Sequence, residues 1–148
     1  MSDLTATASA VRRPGRLVVI GGVLAAIVAS SIIEAVVASI ARAAGASDDF
    51  MPLQASAFVF FTVVGLVVGA IGWIIVRSRS EAPESMLRKL VPAVLAISFI
   101  PDLAMLASDY SPHSNTVGVV ALLVMHVVVA AVGVFTFHKV LPVENSEK

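Results

Sequence analysis

Glu34, Asp102 and His126 each interrupt a long apolar run, and they are the ionisable side chains that a lipid bilayer would have to enclose. Two carboxyls and an imidazole can tie helices together, hold a polar ligand or pass protons, since histidine titrates near neutrality. A charged side chain at bilayer depth costs on the order of 2.5–3.5 kcal/mol on insertion scales, so such residues turn inward and find partners. At about 1.5 Å per helical residue, Glu34 lies roughly 10 Å, Asp102 roughly 8 Å and His126 roughly 14 Å from the outer ends of their runs. One layer therefore holds all three.

Asp102 and His126 sit on consecutive runs joined by a short loop, so they are expected to pair, with Glu34 as a third member or a separate site. Glu34 shares a helix face with Ser30, Ser31 and Ala38, and His126 shares one with Leu122, Ala130 and Gly133. Pro101 lacks an amide and leaves a carbonyl one turn back without its usual bond, so a kink and a polar notch near Ile97 and Ser98 are expected. Two readings stay open: a structural Asp-His tie between helices, or a protonatable transport or ligand site. Met125 beside His126 reads as packing or lipid-facing. One intramembrane histidine, two carboxylates and no cysteine make a thin set for a metal, and no metal or cofactor is expected. HExxH, phosphate-loop and GxSxG patterns are missing, so the chain does not read as an enzyme.

The elements that carry these residues follow from composition. The chain has 148 residues, 58% of them hydrophobic, and a mean hydropathy of +0.97. Soluble domains run at about 45–50%. Formal net charge is zero, which gives no reason to expect nucleic acid, and without cysteine there are no disulfides or thiolate sites. Four runs meet the roughly 20 residues that a membrane helix needs: 17–41, 55–76, 90–107 and 117–137. The third is the weakest, being short and holding Pro92, Pro101 and Asp102. Strands are excluded because barrel strands alternate and are about half as long. The expected fold is an all-α transmembrane four-helix bundle over 16–138, between tails 1–15 and 139–148.

Loop charge sets the expected orientation. Arg12, Arg13 and Arg16, the central Arg77, Arg79, Arg88 and Lys89, and the terminal Lys139 and Lys148 place both termini in the cytoplasm. Arg42 stands alone on the outer side and is expected to reach Asp48 or Asp49. Arg12-Arg13 before an apolar run invites a signal-peptide reading, but the run exceeds the ~7–15 residues of a signal core and contains Glu34, so a retained anchor is expected. Trp73 and Tyr110 suit the headgroup level. Pro52 and Asn115 suit helix starts, and Pro83 to Leu90 suits an extension of the third helix.

Small residues mark where helices can approach. Gly65, Gly69 and Gly72 form a stripe on the second span, expected to pack within the chain or against a second copy or another membrane protein.

The fourth span, Val119 to Ala131 with Met125-His126 inside an Ala/Val/Leu helix, resembles the closing helix of small actinobacterial four-span membrane proteins grouped as a domain of unknown function. The Pro101 region and the basic central loop are similar too, over about Arg16 to Phe137. The resemblance implies a fold and a membrane location, with His126 and Pro101 as matching positions, and no activity. Four short spans with a glutamate in the first also resemble small multidrug-resistance antiporters, but the aromatic lining of a drug pocket is missing and Asp102 and His126 have no place in that pattern. The expected function is a non-enzymatic accessory or scaffold protein of the bacterial cell membrane; the alternative is a small proton-coupled transporter or a small-molecule or lipid-binding bundle using Glu34, Asp102 and His126.

Overall fold

In hydrocarbon no water is present to satisfy backbone N–H and C=O groups, so an apolar run of this length closes its hydrogen bonds within itself as a helix. The computed structural model describes residues 14–107 and 111–143 and contains four such helices: α1 (Arg16–Ala43), α2 (Ala55–Arg79), α3 (Pro83–Ala107) and α4 (Thr116–Val140). All four are long and apolar enough to cross a membrane. The chain is a multi-pass membrane protein. Tyr110 and the outer parts of both tails lie outside the described residues.

Each expected span falls inside one helix. α3, weakest by hydropathy, is continuous through Pro92 and Pro101 and begins at Pro83, so the 83–90 segment extends the helix. Asn115 caps α4, its Oδ1 accepting from the Gly118 amide at 2.8 Å. Pro52 instead occupies a separate 3-10 turn, Met51–Leu53, ahead of α2.

α1 ends where Gly45 takes φ 106°, a conformation that side-chain-bearing residues rarely adopt. The Ala46 amide donates to Ala41 O at 2.9 Å and the Gly45 amide to Arg42 O at 3.0 Å, which satisfies two terminal carbonyls and turns the chain inward. The turn drives Phe50 and Leu53, both fully buried, into the bundle end. Asn115 Nδ2 then donates to Gly45 O at 2.8 Å and ties this loop to the start of α4.

α1 packs on α4 and α2, and α3 on the same two helices, while α2 and α4 also meet across the bundle. The diagonal approach depends on absent side chains. A Cβ on Gly133 would lie 2.8 Å from Leu66 Cδ2, and one on Gly69 would lie 3.3 Å from the Phe137 ring.

The core is split into two. At the distal end, which carries the α1–α2 and α3–α4 connections, Ala38, Phe50, Leu53, Phe58, Leu122 and Met125 pack together. Ala26, Leu66, Trp73, Leu87, Phe137 and Leu141 fill the terminal end, where the chain enters and leaves. Outward faces are apolar as well, with Leu17, Ile32, Phe60, Ile97 and Phe135 among the exposed side chains. Against lipid that exposure carries no hydrophobic penalty.

The Gly118→Ala variant would place a Cβ 2.9 Å from two atoms of the buried Phe50 ring. It is expected to lose about 1–3 kcal/mol by overpacking. Gly65→Ala and Gly72→Ala meet nothing within 4 Å and should be neutral or slightly stabilising. Thermal unfolding of purified protein in detergent checks both.

Candidate functional site: a buried polar belt

Between the two apolar cores lies a belt of polar side chains drawn from every helix. On α1 the inward positions run Ala26, Ser30, Glu34, Ala38, each four residues apart, so the polar pair sits between the two cores on one face. α2 contributes Thr62 in the same way, between Phe58 and Leu66. α3 contributes Asp102 and α4 contributes His126. Counted from the distal helix ends at about 1.5 Å per residue, Glu34, Thr62, Asp102 and His126 fall between roughly 8 and 15 Å deep and Ser30 at about 20 Å.

Two contacts cross between helices. Thr62 Oγ1 donates to Glu34 Oε2 at 2.6 Å, joining α1 to α2, with both residues buried. His126 Nδ1 lies 3.1 Å from Asp102 Oδ2, joining α4 to α3. The structure thus brings Asp102 and His126 together. Glu34 pairs first with Thr62, although His126 lies within Coulombic reach of both carboxyls.

The histidine has a definite orientation. Nδ1 is also 2.9 Å from Leu122 O, one turn back on α4. A carbonyl only accepts, so this contact puts a proton on Nδ1, which leaves Nε2 as the nitrogen able to take up a proton. Phe99 of α3 closes one side of the ring edge-on, at 6.1 Å between centroids. Asp102 Oδ2 is buried and makes no hydrogen bond among the described residues, so its 3.1 Å contact with the imidazole lies off the N–H direction. The buried Ser30 and Ser31 hydroxyls likewise lack hydrogen-bond partners among the described residues. His126 is the open member of the pair, with 36% of its side chain exposed against 8% for Asp102.

Other expected residues occupy varied settings. Pro101 lies inside α3 immediately before Asp102, and the nearby Ser98 hydroxyl donates to Leu95 O at 2.7 Å. Met125 is buried in the distal core. Gly69 faces Phe137 while Gly65 and Gly72 face open space, so the stripe is shared between an internal contact and the outer surface. Arg42 contacts Asp48 at 3.6 Å, as its position suggested, and also donates to Leu53 O at 2.6 Å. Thr62 was not singled out from sequence. The available signal was that it is the one hydroxyl between Ser56 and Ser78 on the second span.

Chemically, the belt offers exchangeable protons among two carboxyls and an imidazole. Among the described residues no three His, Asp or Glu side chains converge to hold a metal ion.

A family model described as a family of unknown function, DUF6069, matches residues 13–142. The chain belongs to DUF6069. That match spans all four helices and every member of the belt in this DUF6069 protein. Comparison with curated proteins and with solved structures found no match.

Interhelical hydrogen bonds in membranes are worth about 0.6 kcal/mol on average and up to about 1.7. The buried 2.6 Å Thr62–Glu34 contact is expected to fall at the upper end of that range. A double-mutant cycle of Thr62→Val and Glu34→Leu, read by unfolding in detergent, should return a coupling of about 1 kcal/mol or more.

Proposed function

We propose that this DUF6069 member is a non-enzymatic accessory or scaffold protein of a bacterial cell membrane, with Glu34, Asp102 and His126 serving as ties that hold its helices in register. One observation carries the reading: each carboxyl is met by a side chain from the neighbouring helix, Thr62 or His126. Two clefts lie toward the bundle's ends, and neither is lined by Glu34, Asp102 or His126. Both termini are assigned to the cytoplasm, on the excess of Arg and Lys at the terminal end. The Met125-His126 likeness to actinobacterial four-span proteins supports the bacterial setting. Contact with a second copy or another membrane protein would use the lipid-open side of α2 at Gly65 and Gly72.

A second reading, a small proton-coupled transporter or ligand-binding bundle, draws support from the buried Asp102 Oδ2 and Ser30 hydroxyl, which make no hydrogen bond among the described residues, and from the partial exposure of His126. Substitution separates the two. On the scaffold reading, His126→Ala and Asp102→Asn each cost about 1–2 kcal/mol of stability in detergent. Proteoliposomes of the unaltered protein then show no pH-driven flux above empty liposomes. A pH-dependent flux that Glu34→Gln abolishes while folding stays intact would overturn the scaffold reading.

A further inference from the structure

At the terminal end a cleft of about 240 Å³ opens between α2, α3 and α4, lined by Trp73, Glu84, Arg88, Val91, Val134 and His138 among others. Its depth is informative. Measured from the distal helix starts or ends at about 1.5 Å per residue, Trp73 lies roughly 27 Å away, Arg88 roughly 28 Å and His138 roughly 33 Å. The hydrocarbon core is about 30 Å thick, so all three fall at one boundary between acyl chains and headgroups.

The cleft wall is held in place. Trp73 is buried and its Nε1 donates to Leu141 O at 3.0 Å, which fixes the indole against the end of α4. His138 meets that indole edge-on at 4.8 Å, and this sets the imidazole at the rim. Arg88 is exposed and makes no ion pair among the described residues, even with Glu84 one turn before it on the same helix. Val91, Pro92 and Val134 continue the cleft toward the acyl layer as an apolar floor. The surroundings are cationic: Arg77, Arg79, Lys89 and Lys139 stand in the same layer against Glu81 and Glu84.

We propose that this cleft binds the headgroup of an anionic phospholipid, with the Arg88 guanidinium and His138 imidazole donating to the phosphate and the first acyl carbons lying on Val91 and Val134. Basic pockets between membrane helices at this level are a recurrent way to hold such lipids. Glu84, the one acidic group on the lining, accepts from headgroup hydroxyls of the phosphoglycerol type. A lipid is favoured over a soluble phosphate because the cleft opens at the depth where headgroups already sit and its floor is apolar. The site is separate from the belt and independent of the scaffold reading.

Trp73 is the single tryptophan of the chain and lines the cleft, so it reports occupancy directly. Full-length protein is reconstituted in vesicles in which phosphatidylglycerol, phosphatidylethanolamine or phosphatidylcholine carries brominated acyl chains, and quenching of Trp73 is compared at equal mole fractions. Phosphatidylglycerol is expected to bind about fivefold more tightly than phosphatidylcholine, the worth of one well-placed cation at the surface. Arg88→Gln is expected to bring that ratio close to one and His138→Gln to lower it, whereas Arg79→Gln, outside the cleft, preserves it. Should Arg88→Gln fail to fold, His138→Gln against Arg79→Gln gives the same discrimination. Equal quenching by phosphatidylglycerol and phosphatidylcholine overturns the proposal, as does quenching by phosphatidylethanolamine equal to that by phosphatidylglycerol. An equal loss in Arg79→Gln would mean a diffuse surface field. Displacement of brominated phosphatidylglycerol by millimolar glycerol phosphate would mean a soluble ligand. Either result also overturns it.

Discussion

Hydrocarbon cannot solvate a carboxyl, and most of the architecture follows from meeting that constraint twice within one layer. Glu34 and Asp102 lie on α1 and α3, and each is answered by a group on an adjacent helix at matching depth, Thr62 on α2 and His126 on α4. Sliding any helix by one turn would move its polar group about 5.4 Å, out of reach of its partner and into one of the apolar cores. Dispersion packing between smooth apolar helices tolerates such slips far better, because lipid tails are as apolar as the side chains they replace. The belt's two interhelical contacts are made at one register, and the alanine- and leucine-rich cores above and below it supply contact area.

Close packing in those cores rests on missing atoms as much as on filled volume. Gly133 admits Leu66, Gly118 admits the Phe50 ring, and a Cβ on Gly22 would fall 2.6 Å from Val140. These three contacts bring α4 against α2, against the α1–α2 loop and against α1. α4, like α2, meets all three other helices, and its low polarity fits a segment surrounded by protein on several sides and lipid on the rest.

Much of this was legible in the residues. Four long apolar runs leave no alternative to helices, and two consecutive antiparallel spans carrying Asp102 and His126 at similar depth meet because their connection is short. Asn115 was readable as a cap from its place before an apolar run. Thr62 was not, since a lone threonine bonds its own helix as readily as a neighbour, and only the position of Glu34 across the interface decides which. Phe50 was hidden for another reason: one aromatic in a loop has no periodicity, and its burial depends on the inward turn at Gly45. The spacing of Gly65, Gly69 and Gly72 shows that they share a side of α2 but not which way that side turns. Orientation is set by the larger Leu66, Ala70 and Trp73, which are buried.

α3 is attached differently from the rest. Among its described side chains only Pro83, Leu87 and Asp102 are buried, the first two near one end and the third near the other. Its other contacts are made by side chains that stay partly open: Val91 on the terminal core, Phe99 on the His126 ring and Met105 on the distal core. α3 thus gives a larger share of its surface to acyl chains than the other three helices do, and the bilayer itself supplies much of its packing.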